Sequence, residues 1–370
     1  MNHYPSNVKE KLNSIILSMA EHHWLFSKNP GHDFTRQHLG KLSFYDTMRL
    51  IISMGKGSTN DEIMDYFDLD PDLIPSQSAF CQRRRQISLS AFEYLFSEFS
   101  SSFPSTTDKF KDHCILACDG CHVVYATNSD IIEDYNKPRL IDYKGYNHMH
   151  LNGFVDVISK AFLDVVIQPG QQPDEREALH SMLDHFTPDD PQKYIITADR
   201  GYESYDLLFH CELKNLGYVF RVKSPSSPKS ILSYYASELP DDLEEFDVTI
   251  KRFFTDKATN IMKSQSDVYR YINPSKNTPH FYELLRKKHS HLYFLQFRVV
   301  KIKTSENTYE YLITNLPFSF TLDDIRECYH WRWGIEISFR YLKHAAGLLY
   351  FHSKQPEFLK QEIYSRLILY

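Results

Sequence analysis

Tyr329, Arg332, Glu336 and Lys343 follow one another at intervals of three, four and seven residues. On a helix turning 100° per residue they share an arc of roughly 60°, so a carboxylate is flanked by two cations and a phenol. A single i,i+4 Arg/Glu pair is ordinary for a solvated helix. Four aligned polar groups beside an apolar seam of Trp331, Ile335, Phe339 and Leu342 instead call for a partner. Such a carboxylate suits a hard cation, and the flanking cations suit phosphate.

The element carrying them is expected to be one long helix from Thr321 to Gly347. Thr321 and Asp324 form a capping-box start, and Gly347 is a natural C-terminal stop. Upstream, the apolar run HCILACDG delivers Asp119 and the run YIITADRGY delivers Asp199, each at the expected end of a buried strand. HMHLNGFVDVIS and AFLDVVIQPG are two further strands joined tightly at Ser159–Lys160. DEREALHSMLDHF is a helix, a second helix runs from about 204 to 215, and YVFRVK is a strand. The order β-β-β-α-β-α-β followed by a helix is that of an α/β, ribonuclease-H-like core. In it, acids at neighbouring strand ends face one crevice, within reach of Glu336. Three such carboxylates repel, and Mg²⁺ with its oxygen preference relieves the repulsion.

Composition narrows the classes. The chain has 370 residues, 42% of them hydrophobic, with 26 Phe and 25 Tyr. It is therefore a folded protein of two or three domains and not a disordered one. The apolar run at residues 14–20 is too short for a membrane span and lacks signal-peptide flanks, so a cytoplasmic protein with its six cysteines reduced is expected. A net charge of −6 and a pI near 6.3 lower the expectation of a nucleic-acid partner. Basic clusters at Arg83–Arg85 and Arg286–Lys288 keep it open.

Residues 1–105 show helical spacing in VKEKLNSIILSMAEHH, SFYDTMRLIISM, TNDEIMDYF and SLSAFEYLFSEF. They form an all-helical N-terminal domain. Within it SQSAFCQRRRQIS, carrying Arg83, Arg84 and Arg85, is the second helix of a possible helix-turn-helix DNA reader, or one solvated face of a plain bundle. Residues 224–320 change texture, with strand-like runs FDVTIKRFFT, VYRYIN, HLYFLQFRVVKIK and YEYLITNL. This is a β-rich insertion dividing the core into 106–223 and 321–370.

Tyr-x₂-Arg-x₃-Glu-x₆-Lys, together with ACDG around Asp119 and TADRGY around Asp199, resembles the DDE transposases of bacterial insertion sequences, in the branch which that spacing defines. DFTRQHLGKLSF and SAFCQRRRQIS extend the resemblance toward the N-terminus, so that it covers roughly residues 30–350. It implies a metal-dependent polynucleotidyl transferase in which Asp119, Asp199 and Glu336 bind two Mg²⁺ ions, Mn²⁺ substituting. Arg200, Tyr329, Arg332 and Lys343 would contact DNA. It also implies cleavage at the element's terminal inverted repeats through a hairpin step, joining to target DNA, a homodimer bridging both ends, and a nucleoid-associated enzyme. The insertion would approach DNA near the cleavage point. Relatives run on past the position of Tyr370, which raises the alternative of a truncated, catalytically idle DNA-binding remnant. A third alternative, structural zinc at Cys114, Cys118, Cys121 and His122 with His148 and His150, lacks the paired spacing of zinc modules.

Overall fold

Serine caps open three of the helices in the first hundred residues. Ser43 and Ser58 form reciprocal capping boxes with Asp46 and Asp61 at the starts of α2 (Phe44–Ser53) and α3 (Thr59–Tyr66). Ser76 accepts the Ala79 N–H at the start of α4 (Gln77–Gln86). With α1 (Tyr4–Glu21) and α5 (Leu89–Ser101), these helices bury Met48, Ile51, Phe92 and Leu95 among themselves. The structure, a computed structural model of the chain, describes residues 4–35, 42–103, 109–138, 144–273 and 278–370. Part of DFTRQHLGKLSF and the expected boundary at 105/106 lie outside the described residues.

The helical layer is completed by an element the sequence reading did not anticipate. α12 (Pro356–Leu369) packs on α5 and α2 and is buried on almost every side. Its polar residues are matched accordingly. Arg84 of α4 pairs with Glu362 at 2.9 Å and donates to Gln361 at 3.0 Å, and Arg366 donates to the Met54 and Gly55 carbonyls. Arg84 is only 4% exposed, which corrects its expected place on a DNA-reading face. A guanidinium buried this deeply needs a carboxylate, and Glu362 supplies it.

Around one mixed sheet the rest of the chain is arranged. β1 (Cys114–Tyr125) lies antiparallel to β3 (Tyr146–Asp156), which also pairs with β4 (Phe162–Pro169) and the short β2 (Tyr135–Asn136). On its other side β1 runs parallel to β5 (Tyr194–Ala198), and β5 runs parallel to β6 (Gly217–Val222). Helices α6 (Glu175–His185) and α7 (Tyr205–Leu213) flank β5 in sequence, as the spacing predicts. The strands of 224–320 do not stand apart. β10 (Thr308–Thr314) pairs with β6, β9 (Leu292–Ser305) with β10, β7 (Phe246–Thr255) with β9, and β8 (Tyr269–Tyr271) with β7. Helices α8 (Asn260–Ser264) and α9 (Pro279–Lys287) interrupt them.

Alternation along the strands divides the core in two. Ile115, Ala117 and Ile195 face the layer built by α10 (Leu322–His330) and α11 (Gly334–His344), with Ile325, Ile335 and Leu342. Leu116, Cys118, Ile196 and Ala198 face the layer of α6 and α7, with Leu179, Met182 and Phe209. Among the described residues no helix is long and apolar enough to cross a membrane.

Two expectations are corrected here. The stretch from Thr321 to Gly347 is not one helix, because the 3₁₀ turn Trp331–Trp333 separates α10 from α11. A 3₁₀ turn advances 120° per residue, so the phase shifts, and Trp331 leaves the packed stripe with 39% exposure. Asp119 does not end its strand, since β1 continues to Tyr125. The caps match: Thr321 and Asp324 form the capping box, and Gly347 has φ +84° with the Leu348 N–H bonded to the Leu342 carbonyl.

Candidate active site

The parallel register places Cys118 beside Ala198, so Asp119 and Asp199 follow as the next residues of adjacent strands. Both belong to the alternating series that faces α10 and α11. β5 ends at Ala198, and Asp199 turns there into a short 3₁₀ turn, accepting the Arg200 N–H at 2.6 Å. The Asp119 and Asp199 carboxylates are reached from above by the residues of the α10–α11 junction.

Arg332 occupies the centre. Its Nη1 lies 3.6 Å from Asp119 Oδ2 and its Nη2 3.1 Å from Glu336 Oε1. The Tyr329 hydroxyl, one 3₁₀ step earlier, lies 3.5 Å from Asp199 Oδ1, and the Tyr329 ring sits 5.6 Å from the guanidinium carbon. Arg332 and Tyr329 are both nearly inaccessible. Phosphate contact by these two was expected; here the guanidinium serves two carboxylates and the phenol approaches a third. The reason is electrostatic, since a buried guanidinium takes the nearest carboxylates. Ligand oxygens of Asp119, Asp199 and Glu336 do not all come within 4.8 Å of one another.

Burial pushes the Asp119 carboxyl up to about 6, the charges of Glu175 and Glu336 adding to the rise and the Gly120 N–H and Arg332 opposing it. Tyr329 is pushed above its ordinary range, first by burial. Arg332 is held more firmly protonated by Tyr329, Asp119 and Asp199, which outweigh the desolvation of its guanidinium.

Several neighbours escaped the sequence reading. Glu175, first residue of α6, lies 3.2 Å from His150 Nε2, and its charge is felt at Asp119. Arg221 of β6 lies 3.4 Å from Asp199 and 3.2 Å from Glu310 of β10. Gly120 is required where these groups crowd: a Cβ there would sit 2.2 Å from His150 Nε2 and 3.0 Å from Glu175 Oε1. An acid in the first helical turn after a hairpin was the only available signal for Glu175. For Arg221, the next alternation after Val219 was the signal.

Lys343 is half-buried beside Cys121, whose thiol burial pushes up to about 12 against the pull of that ammonium. Arg200 is exposed next to Asp199, and Arg85 is exposed on α4. Arg83 lies over the Phe34 ring at 5.3 Å and donates to Gln86. The α4 arginines sit in the helical layer, with α4 packed on α2 and α3. Cys114 and Cys118 are buried on β1 outside any disulfide, and burial holds Cys118 far above its ordinary pKa.

The donor set fits a hard divalent cation: three carboxylates with a fourth nearby, one of them raised toward protonation chiefly by burial. No curated protein matches the chain. A solved piggyBac transposase synaptic complex with hairpin DNA is similar at 11% identity and a TM-score of 0.45, over 97% of this chain and 69% of that one. The family model described as "Transposase DDE domain" matches residues 110–370, which include both aspartates and the whole α10–α11 unit, and on that match the chain belongs to the DDE-domain transposases.

Proposed function

We propose that this transposase cleaves DNA at the ends of an insertion sequence and joins them to target DNA, with Asp119, Asp199 and Glu336 as its catalytic acids. The observation that carries the reading is the pairing of Asp119 and Asp199 across adjacent parallel strands, facing a junction where Arg332 ties Asp119 to Glu336. The strand order β4-β3-β1-β5-β6, antiparallel then parallel, supports a ribonuclease-H-like core. The proposed domains are 1–105, 106–223, 224–320 and 321–370, the third entering the sheet through β10.

The three carboxylates would hold two Mg²⁺ ions, Mn²⁺ substituting, and these would supply an activated attacking oxygen and stabilise the leaving one. The chain's own residues do the rest. Asp119, raised toward neutrality while unliganded, offers charge that is released when a cation compensates it. Arg332 balances Asp119 and Glu336 and is the fork that suits a scissile phosphate, with Lys343 and Tyr329 beside it. Arg83, Arg85 and Arg200 are the proposed outer DNA contacts, and a homodimer on paired element ends in the cytoplasm is the proposed working form. The spacing from Tyr329 to Lys343 supports the insertion-sequence branch.

The test is Mg²⁺-dependent nicking of DNA carrying the flanking element ends, wild type against Glu336→Gln. Cleavage is expected to fall at least a thousandfold, about 4 kcal/mol of transition-state stabilisation, while DNA binding persists. Equal binding with no metal-dependent cleavage by either protein would instead identify an idle remnant.

A further inference from the structure

Three histidines outside the candidate active site meet where three helices pack. His180 comes from α6, His210 from α7 and His280 from the start of α9. Their rings lie nearly parallel, with centroids 3.8 Å apart for His210 and His280, 4.4 Å for His180 and His280, and 5.1 Å for His180 and His210. One nitrogen from each falls within 4.8 Å of the other two.

Each ring also turns a nitrogen toward a carboxylate. His280 Nδ1 lies 2.7 Å and His180 Nε2 3.5 Å from Asp206 Oδ2, and His210 Nε2 lies 3.2 Å from Asp184 Oδ1. Asp206 is buried, and its other oxygen accepts the His280 and Phe281 N–H groups, capping α9 from α7. The His280 ring bonds Asp206 through Nδ1, which leaves its Nε2 as the nitrogen available to a ligand. Nδ1 of His180 and Nδ1 of His210 meet at 2.9 Å, an N–H···N hydrogen bond in which one ring donates to the other. A cation taken up between them would replace that shared proton, since histidine ligates through a deprotonated nitrogen.

We propose that His180, His210 and His280 bind one Zn²⁺ or a similar imidazole-preferring cation, through Nδ1 of the first two and Nε2 of the third. Asp206 and Asp184 orient the ligands as the carboxylate partners usual for metal-bound histidine. The fourth position is left to water, since His180 and His280 lie at the edge of the cluster with 13% of each side chain exposed. Nitrogens on tetrahedral zinc stand about 3.3 Å apart, so ligation opens the His180–His210 pair slightly and turns the stacked His280 ring until its Nε2 lone pair points at the ion. The metal would tie α9, which lies between β8 and β9, to α6 and α7 against the sheet. Its nitrogen ligands distinguish it from the oxygen-rich acids of the candidate active site.

The experiment loads the full chain with Zn²⁺, dialyses it against excess Mg²⁺, and measures bound zinc together with its X-ray absorption. Wild type and Glu336→Gln are expected to retain about one zinc per chain with imidazole scattering in the absorption spectrum. His280→Gln is expected to bind at least tenfold more weakly and to lose the rise in Tm that Zn²⁺ gives the wild type. Wild-type protein that emerges zinc-free, or shows an oxygen-only shell, overturns the proposal. Equal retention by a folded His280→Gln variant overturns it as well. The absorption spectrum of the wild type decides the matter even where the variant does not fold.

Discussion

Asp119 bears a charge that the fold makes costly. Its folded-state pKa of about 6 lies above the unfolded value, so the native state binds the proton more tightly and stability falls as pH rises through the window from about 4 to 6. The penalty is fully present above that window, and without divalent metal it amounts to about 3 kcal/mol. Asp119→Asn is therefore expected to raise Tm at pH 8 in chelator and to leave it little changed below pH 4, as thermal melts across pH would show. A variant equally stabilised at both ends of the range would place the effect in packing instead. The spacing of Tyr329, Arg332 and Glu336 was legible because neighbours on one helical strip meet whatever the tertiary fold. Glu175 and Arg221 were not, because only the packing of α6 and the β5–β6 pairing bring them to Asp119 and Asp199.

Elements that look uniform in sequence divide their labour residue by residue. Arg84 and Arg85 are consecutive on α4, yet one lies beneath α12 and the other faces water. Arg84→Ala is expected to cost about 3–5 kcal/mol, because the buried Glu362 loses the guanidinium on its Oε1 and keeps only His352 on its other oxygen. Burial works against the Glu362 charge, but the His352 side chain, Arg84 and the His352 N–H hold its carboxyl below the usual range. Its contribution is thus present above the ordinary carboxylate pKa and is lost as acid protonates it. Arg85→Ala should leave unfolding stability within about half a kcal/mol of wild type and weaken DNA binding; a chemical melt beside a salt-dependent binding titration separates the two. The strands and caps were readable from alternation and from serine or threonine before acidic helical turns. The 3₁₀ turn at Trp331–Trp333 was not, because helical spacing on either side fits an unbroken helix equally well, and the break is settled by how Tyr329 and Arg332 reach the acids.

At the scale of the whole molecule, one sheet passes from β4 through β1 and β6 to β8, so residues 224–320 are hydrogen-bonded into the core. The composition change at residue 224 was visible, but the destination of its strands was not, since β6 meets β10 across a long intervening stretch. α12 has a similar reach, closing the layer begun by α2 and α5. Native-state hydrogen exchange is expected to show α2, α5 and α12 opening as one unit, with Arg84→Ala accelerating all three alike. Exchange confined to α4 and α12 would mean that the layer is held in separate pieces. The same arrangement bears on synthesis. Met48, Ile51, Phe92 and Leu95 leave the ribosome long before Leu359 and Ile363, and at about 5–20 residues per second the interval lasts tens of seconds. During it the nascent helices present an uncovered greasy seam, and the newborn chain is expected to engage holding chaperones until α12 arrives.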